Sequence, residues 1–362
     1  RHVEGLDEIH CYCVLLFDEI SLHPSLGYNR SEDAIDGLED DGVERSPKIA
    51  DHAMVFMIKG LAKRWKQPLA YFFTENAMKS TNVAKNMKQI IRSLQDIGLK
   101  VVATVCDQYN SAAVNMLVEN SKEKEAREGR RHHLNSFFVE ENEIVALYDP
   151  PHLLKGIRNN MLNGDVQFQW KKGQQVAKWK HVIAVYELDG TMGNVEFNDP
   201  NVSDYRMLHK LTDQHIYPEK IKKMKVKHAA QVFSQRVSAR MRGLAQGNGI
   251  LPQEAIHTAD FLLFVDQLFD SVNGSTIEAQ MGKLFRCAVS GTSPHVAFWT
   301  EAKAVLRSIK FVRDGQEFVP PTIKNWLKTV DGFLELWSRL QKVGFTFLIT
   351  RNLNQDALEN FF

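Results

Sequence analysis

The stretch Cys13-Val14-Leu15-Leu16-Phe17-Asp18 sets the fold class, because an uninterrupted apolar run ends there in a carboxylate. The same pattern returns in Val101-Val102-Ala103-Thr104-Val105-Cys106-Asp107. Runs of this kind predict buried strands, each of which delivers an aspartate at or near its end. A charge that directly follows a buried strand needs water, a partner or a metal ion. The two aspartates are therefore candidate site residues.

A third candidate carboxylate, Glu359, lies in Asn354-Gln355-Asp356-Ala357-Leu358-Glu359, which predicts the first turn of a helix. Three carboxylates that converge from two strands and a helix can hold a pair of Mg²⁺ ions for phosphoryl transfer. The chain has 44 aspartates and glutamates, so a solvated carboxylate is the ordinary alternative for any one of them. The order of strand, later strand, insertion and helix favours a shared site.

The composition is that of an ordinary globular protein, with 44% hydrophobic and 25% charged residues among 362. This length allows two or three domains. The net charge of +1 gives no global sign of nucleic-acid binding, so contacts with DNA would depend on local basic segments. There is no apolar run of 18 residues and no signal peptide, so we expect no membrane partner.

The four cysteines predict a reducing compartment rather than a disulfide framework. Cys11, Cys13 and Cys106 lie in apolar, strand-like runs, where a buried free thiol is the expected state. The Cys-x2-4-Cys spacing with histidine partners that a zinc site would need is absent.

Residues 1–163 alternate between predicted strands and helices, as in an α/β layer with acidic residues at strand ends. The predicted strands are 10–20, Ala53–Ile58, Leu69–Thr74, Lys100–Asp107 and one within Phe137–Tyr148, and the predicted helices are Ser80–Ile97, Asn110–Val118 and a segment ending at Met161. Ser80-Thr81-Asn82 indicates a helix cap, 23–50 a loop or hairpin, and 119–133 a solvated polar connector.

From Gly164 the pattern changes, and 170–310 is mostly helical by periodicity. We interpret this region as a helical insertion that separates Glu359 from the predicted sheet, to which the helix Ile323–Val343 then returns. The predicted domains are 1–163, 164–308 and 309–362. The chain begins with Arg and stops three residues after Glu359, so we expect a fragment of a longer protein whose last part is truncated.

Several specific stretches follow one another along essentially the whole chain. They are Leu16-Phe17-Asp18-Glu19-Ile20-Ser21, His52-Ala53-Met54-Val55-Phe56-Met57 with Lys66-Gln67-Pro68, Cys106-Asp107-Gln108-Tyr109-Asn110, Tyr148-Asp149-Pro150-Pro151-His152-Leu153-Leu154-Lys155, Lys223-Met224-Lys225-Val226 with Ala230-Gln231-Val232-Phe233-Ser234, and Asn354-Gln355-Asp356 through Glu359-Asn360-Phe361-Phe362. In these stretches the chain resembles the catalytic region of P-element transposases, including their THAP-domain-bearing vertebrate relatives. One such stretch would be suggestive, whereas all of them in order are a strong indication.

The resemblance implies an α/β fold in which an RNase H-like catalytic domain is interrupted by a mostly helical GTP-binding insertion domain. It implies that Asp18, Asp107 and Glu359 are the catalytic carboxylates and bind Mg²⁺. The implied reaction is hydrolysis at transposon ends, followed by attack of the freed 3′ hydroxyl on target DNA. Recognition of those ends is expected to come from the THAP domain that such transposases carry outside this region.

Three residues near these carboxylates have other expected roles. Glu19 should point to the opposite strand face from Asp18, which favours a structural role. Asp149 also ends a strand and is the replacement candidate if one carboxylate is misassigned. His152 is expected to start a helix or to pack, rather than to bind a metal.

A guanine nucleotide site follows only from the resemblance. Neither a Gly-x4-Gly-Lys-Ser/Thr loop nor an Asn-Lys-x-Asp signature exists, which disfavours a Walker-type NTPase. The resemblance implies that GTP is a structural cofactor bound by Lys210, Lys225, Val226, Ser234, Asp270, Asn273 and Asp356. Lysines would neutralise phosphates, Asp270 could accept from guanine N1–H and N2–H₂, and Asp356 could bind the Mg²⁺ of the nucleotide. Taken alone, each lysine is ordinarily solvated, and Ser234 ordinarily bonds to the backbone.

Basic segments could contact DNA phosphates in a salt-dependent and largely sequence-independent way. They are Lys63–Lys66, Arg127–His133, Lys155–Arg158, Lys171-Lys172 and Lys220–Lys227. Each of them alone is more often a solvated face. The expected partners are DNA and GTP, the expected compartment is the nucleus, and the full-length protein is expected to be a homo-oligomer.

The sequence therefore favours the catalytic core of a cut-and-paste DNA transposase with Mg²⁺ and GTP as cofactors. Two rival hypotheses stay open: a domesticated copy that binds DNA and nucleotide without transposing, and a non-enzymatic interaction module. Metal-dependent DNA cleavage separates the first hypothesis from both rivals. Nucleotide-dependent thermal stabilisation separates the two rivals from each other.

Overall fold

The computed structural model describes residues 5–41, 44–130, 135–171, 173–196, 206–247 and 249–361. The first elements are β1 (Tyr12–Ser21), β2 (Gly27–Asn29), β3 (Ala34–Asp36), β4 (Leu38–Asp40), β5 (Arg45–Ile49), β6 (His52–Gly60), β7 (Lys66–Thr74), α1 (Ser80–Asp96), β8 (Lys100–Cys106), α2 (Ser111–Arg127), β9 (Ser136–Val139), β10 (Asn142–Tyr148) and α3 (Pro150–Met161). The later elements are β11 (Asp165–Trp170), β12 (Gly173–Ala177), α4 (Trp179–Glu196), α5 (Asp213–Ile216), α6 (Val226–Val232), α7 (Gln235–Gln246), α8 (Ala255–Val272), β13 (Val289–Ser290), α9 (His295–Ser308), β14 (Lys310–Arg313), β15 (Gln316–Phe318), α10 (Pro321–Lys342), β16 (Phe347–Leu348) and α11 (Asp356–Glu359).

The largest sheet in the described part of the chain has the strand order β5-β4-β7-β6-β1-β8-β10-β9. Strand β1 pairs antiparallel with β6 and parallel with β8, and β10 also pairs parallel with β8. These three parallel strands are mostly buried, as expected for parallel strands that are covered on both faces. Their continuous apolar runs are the reason that the sequence predicts them.

The register of the parallel strands brings their carboxyl ends to one edge of the sheet. Leu16 of β1 lies opposite Val105 of β8, and Cys106 lies opposite Tyr148 of β10. Asp18, Asp107 and Asp149 are close to these ends or directly follow them. The strand order therefore brings three carboxylates to one edge.

Helix α10 returns the end of the chain to this sheet. It contacts β10 and α3, and its buried residues include Trp326, Phe333 and Trp337. The Tyr148 backbone N–H donates to the Thr329 hydroxyl at 3.1 Å, which ties the helix to the strand. The predicted return of this helix to the first part of the chain is confirmed.

A second sheet lies where the insertion leaves and rejoins the first part of the chain. Its strand order is β12-β11-β14-β15, and β11 pairs antiparallel with β14. Val166 and Phe168 face inward and are fully buried, with glutamines between and beside them. The sequence predicted mostly helix for 170–310. Helices α4 to α9 confirm the mostly helical prediction. Strand β11, in which buried and polar residues alternate, and the short strand β12 were not predicted.

The prediction that the polar segment 119–133 is a solvated connector is wrong for its described helical part. Helix α2 continues through it to Arg127 instead of ending in a connector, and residues 131–134 lie outside the described residues. The segment is rich in lysine and glutamate, which are strong helix formers. Pairs one turn apart stabilise it further, with Lys122 Nζ 2.9 Å from Glu119 and Arg127 Nη2 3.5 Å from Glu123.

Two smaller expectations also differ from the structure. The Ser80-Thr81-Asn82 cap is wrong, because Lys79 occupies the N-cap position and its backbone carbonyl accepts from the Asn82 and Val83 N–H groups. The segment 23–50 does contain the β2–β3 hairpin, but its later part adds β4 and β5 to the edge of the large sheet.

The basic segment Lys155–Arg158 is buried, so the expectation that it contacts DNA is wrong. Lys155 is 7% exposed and Arg158 is 1% exposed. The Arg158 guanidinium donates to the Lys223 carbonyl at 2.5 Å. Helix α3 carries both cations on packed faces, and a count of charges along the sequence cannot reveal this.

All four cysteines are free and buried, which confirms the expected thiols. Burial raises the pKa of Cys13 to about 12, so this thiol stays protonated. Within the described ranges, we find no helix whose length and apolar character would let it cross a membrane.

We expect Gly332→Ala to lower the free energy of unfolding by about 1–3 kcal/mol through overpacking. Gly332 lies where α10 crosses β10, and a Cβ there would overlap Leu147 and come within 2.9 Å of Val145. The control is Gly243→Ala in α7, where a Cβ meets nothing within 4 Å. That change should raise the free energy by about 0.5–1 kcal/mol. Urea denaturation measures both, and a gain in both variants would contradict the close packing of α10 on β10.

Candidate active site and nucleotide pocket

Asp18 and Asp107 are joined by the side chain of Asn110. The Asn110 amide Nδ2 donates to Asp18 Oδ1 at 3.1 Å and to Asp107 Oδ1 at 3.0 Å. The Asn110 backbone N–H also donates to Asp107 Oδ1, at 2.8 Å. One neutral residue before α2 thus orients two carboxylates from different strands. This role of Asn110 was not predicted from the sequence, in which the residue appears as the end of the Cys106–Asn110 motif.

Asp18 lies where burial and the neighbouring charge of Asp107 both disfavour its ionised form. Burial raises the pKa of Asp18 to about 7, and the charge of Asp107 adds to that rise. The Glu19 backbone N–H, which donates to Asp18 Oδ1 at 2.9 Å, opposes it. A bound cation would remove the repulsion, and paired carboxylate oxygens are the ligands that Mg²⁺ prefers. This pair of carboxylates therefore fits a divalent metal ion.

Helix α11 contacts β1, and its last residue, Glu359, lies close enough to Asp18 to raise the pKa of that carboxyl. The buried Gln355 precedes the helix, and its backbone N–H donates to Asp149 Oδ1 at 2.8 Å. The Gln355 side chain donates to the carbonyl of Phe17, one residue before Asp18, at 2.8 Å. Burial raises the pKa of Glu359, and the nearby charge of Asp149 raises it further.

Asp149 and His152 form a second cluster with Glu359. Asp149 Oδ2 accepts from the His152 backbone N–H at 3.0 Å and lies 2.7 Å from His152 Nδ1, while Glu359 Oε1 lies 3.8 Å from the same nitrogen. One ligand atom from each of the three residues lies within 4.8 Å of the others, so the cluster could also hold a metal ion. Burial lowers the pKa of His152, but the hydrogen bond and charge of Asp149 outweigh burial, so the net pKa is raised.

These contacts separate structural from candidate chemical roles. Asp149 is 1% exposed, caps α3 and has both oxygens engaged, which is the pattern of a structural anchor. His152 lies in the first turn of α3, which agrees with its expected place near the helix start, although its ring also belongs to the cluster that could hold a metal ion. Glu19 Oε1 accepts from the Met78 N–H at 2.7 Å, just before α1, which confirms its expected structural role.

Four of the predicted nucleotide residues line one cavity of about 530 Å³, namely Lys210, Ser234, Asp270 and Asn273. A neighbouring hollow of about 450 Å³ is lined by Lys225 and Val226, and the two share Lys210, Lys227 and Gln231. These volumes are in the range of small-molecule sites. Six of the seven predicted residues therefore lie around two adjoining spaces.

Asp356, the seventh, belongs to the helix that carries Glu359. Its carboxylate pairs with Arg351 at 2.6 Å, and it lines neither space among the described lining residues. Two residues earlier, Asn354 Nδ2 donates to Asn273 Oδ1 at 3.1 Å. Asp356 thus lies next to the segment that joins the nucleotide pocket to the carboxylates.

Other charged residues line the pocket that were not predicted there, namely Arg236, Asp266 and Lys283, together with Lys227, which was predicted only as part of a basic segment for DNA. Lys283 Nζ lies 2.8 Å from both oxygens of Asp266 and 2.9 Å from Asp270 Oδ2. Burial raises the pKa of Asp266, and Lys283 opposes that rise. The i, i+4 spacing of the two aspartates on α8 was the available signal, but nothing in the sequence pointed to their distant cation.

Comparison with known proteins agrees with this architecture. A family model described as "TNP-like, RNase H N-terminal domain" matches residues 1–118, and one described as "TNP-like, GTP-binding insertion domain" matches residues 151–283. Together they cover well over half of the chain. The chain belongs to the TNP-like, P-element family of transposases. The resemblance seen in the sequence motifs is confirmed.

Two curated relatives of this transposase-family chain are each 25% identical to it. The Transposable element P transposase of Drosophila melanogaster matches over 366 residues, which is 99% of this chain and 42% of that protein. The human DNA transposase THAP9 matches over 280 residues, which is 75% of this chain and 29% of that protein. The chain thus spans less than half the length of either relative.

A solved structure, the Drosophila P element transposase strand transfer complex, has the same fold. Its TM-score to this transposase-family chain is 0.74, with 22% sequence identity, and the match covers 99% of this chain and 72% of that one. The fold class predicted from the sequence, an RNase H-like domain with a GTP-binding insertion domain, is confirmed.

The structural role of Asp149 can be tested against the candidate catalytic role of Asp107. We expect Asp149→Ala to lower the free energy of unfolding by about 2–4 kcal/mol, because a helix cap and the anchor of Gln355 are lost. Asp107→Asn should cost less than about 1 kcal/mol, because its oxygen still accepts from Asn110 while repulsion with Asp18 ends. Urea denaturation without metal measures both, and equal losses would contradict this division of roles.

Metal binding at the aspartate pair should stabilise the fold. We expect Mg²⁺ or Mn²⁺ at a hundred times its Kd to raise the free energy of unfolding by about 2.7 kcal/mol. The double variant Asp18→Asn/Asp107→Asn should lose this gain. Glu317→Gln, which removes an exposed partner of Lys310 on β15, should keep it. Thermal denaturation across a metal titration measures the effect, and an undiminished gain in the double variant would rule out the aspartates as ligands.

Proposed function

We propose that this chain is the catalytic core of a cut-and-paste DNA transposase. The observation that carries the proposal is that Asn110 joins Asp18 to Asp107, while Glu359, about 250 residues further along the chain, lies close enough to raise the pKa of Asp18. The proposed reaction is cleavage of DNA at transposon ends, followed by strand transfer to target DNA. Both curated relatives are named as transposases, which supports this reaction class.

In this proposal Asp18, Asp107 and Glu359 hold divalent metal ions, which we take to be Mg²⁺. When bound, such ions activate the attacking oxygen and stabilise the leaving oxygen of phosphoryl transfer. Asn110 keeps the two aspartates in place before any cation arrives, because it donates to both. Asp149 anchors the Gln355 backbone before α11, and it stays the replacement candidate among the carboxylates because it could share a metal ion with His152 and Glu359.

We also propose that GTP is a structural cofactor of the insertion. Lys210 and Lys225 would neutralise its phosphates, with Val226 and Ser234 beside them. Asp270 and Asn273, at the end of α8, would contact the base, and Asp356 would hold the metal ion of the nucleotide. The insertion domain would span 164–308, between catalytic segments 1–163 and 309–362.

The proposed macromolecular partner is DNA, which places the protein in the nucleus. Backbone phosphates would contact exposed cations, which the structure provides in Lys63–Lys66 and Lys220–Lys227. We propose a homo-oligomer for the full-length protein, because two transposon ends must be processed together.

The deciding experiment incubates the full-length protein with Mg²⁺ and labelled transposon-end DNA, with and without GTP. We expect cleavage that depends on metal and GTP, and a loss of at least a thousandfold in Asp107→Asn, because one carboxylate ligand of the metal site is gone. Product release on denaturing gels measures the rate. Lys310→Gln, an exposed cation of β14, is the control and should cleave at the wild-type rate.

Each other outcome points to a different function. DNA binding without cleavage would contradict the transposase reaction and favour a domesticated copy. Neither binding nor cleavage would leave a non-enzymatic module, and cleavage by Asp107→Asn at the wild-type rate would contradict the proposed site.

A further inference from the structure

Lys283 is the one residue of the nucleotide pocket that contacts both of its buried aspartates among the described residues. Its ammonium group binds Asp266 through both carboxylate oxygens and Asp270 through Oδ2. Asp266 is 8% exposed and Asp270 is 9% exposed, so both would be poorly solvated without this cation. The ammonium of Lys283 therefore has a fixed place beside Asp270.

The pocket has a cationic end and a mixed acidic end. The hollow at one side is lined by Lys210, Lys225 and Lys227, with no carboxylate among its described lining residues. A third space of about 330 Å³, at the other side, is lined by Asp266, Asp270 and Lys283. The central cavity shares lining residues with both. A nucleotide that places its phosphates at the cationic end would therefore direct its base towards Asp270 and Lys283.

A tight turn presents Lys283 to the pocket. The Lys283 N–H donates to the Gln280 carbonyl at 2.9 Å, and Gly282 at the third position has φ +77. A turn with a positive φ there favours glycine. Met281, at the tip, is fully exposed, whereas Lys283 turns inward to α8. The backbone thus directs this lysine inward while its neighbour remains in solvent.

We propose that Lys283 is a specificity residue that donates a hydrogen bond to O6 of the guanine base. This inference rests on the proposed GTP site. Guanine presents the O6 acceptor directly beside its N1–H and N2–H₂ donors, so a base whose donors meet Asp270 places O6 next to the neighbouring ammonium. Asp266 is the positioning residue, because it holds Lys283 while one of the ammonium hydrogens turns to the base.

The chemistry of the pair distinguishes guanine from adenine at both positions. Adenine has an amino group at C6, a donor that cannot accept a hydrogen bond from the Lys283 ammonium. Its N1 carries no hydrogen, so it cannot donate to the Asp270 carboxylate. A purely structural lysine that only neutralises the two aspartates would show no preference for the atom at C6. The role of Lys283 is therefore separable from charge neutralisation by ligands that differ only at that atom.

The test measures Kd values of GTP, 6-thio-GTP and ITP by calorimetry for the whole chain and for Lys283→Met. Sulfur at C6 is a weak acceptor, so the wild type should bind 6-thio-GTP about tenfold more weakly than GTP. In Lys283→Met this ratio should fall to about one. ITP keeps O6 and lacks only the 2-amino group, so its ratio to GTP should be the same in both proteins. Asp270→Asn should instead change the ITP ratio.

An unchanged 6-thio-GTP ratio in Lys283→Met would overturn the role of Lys283 while leaving GTP as the cofactor. A wild type that does not bind GTP at all would overturn the cofactor itself, so the two failures are distinguishable. Since Lys283→Met leaves two buried carboxylates without a cation, the variant Lys283→Met/Asp266→Asn provides the same comparison with one charge removed. Its ratio must also fall to about one.

Discussion

The backbone hydrogen bond from Gln355 to Asp149 is the contact on which the candidate active site depends. It joins positions 206 residues apart and brings α11 to the edge where Asp18 and Asp107 already lie. A buried carboxylate is tolerable there because N–H groups and His152 engage its oxygens. The chain thus leaves the large sheet at α3 and returns to it at the same side chain.

Around this anchor the fold holds like charges close together. Burial and mutual repulsion raise the pKa of Asp18, and burial with the charge of Asp149 raises that of Glu359. In the absence of a cation, such a cluster of carboxylates lowers the free energy of unfolding of the protein. Active sites commonly reduce stability in this way. Neutral donors such as Asn110 keep the geometry while leaving the negative charge available.

How much the sequence predicts depends on the distance over which a residue acts. Strands β1 and β8 were predicted because an apolar run is a local signal, and their terminal aspartates came with them. The pairing of β11 with β14 was missed, because β14 is short and β11 lies far away in the chain. The hairpin of β14 with β15 is local, but its strands are only three or four residues long. Asn110 and Lys283 were missed because the roles of both depend on contacts that only the folded chain creates: Asn110 reaches Asp18 across 92 residues, and Lys283 reaches two aspartates of α8. The remaining pocket residues came from family resemblance, since general rules gave no guanine signature.

The antiparallel pairing of β11 with β14 bears on how this protein can change over evolutionary time. The pairs Val166–Phe311 and Gln167–Lys310 hold the two ends of the intervening segment, residues 168–309, next to each other. The entropy of closing such a loop grows only logarithmically, at about 0.6 kcal/mol for each doubling of its length. Gains and losses of residues inside it therefore act weakly on the strands outside. Insertions and deletions in this region would leave β1, β8 and β10 in their present register.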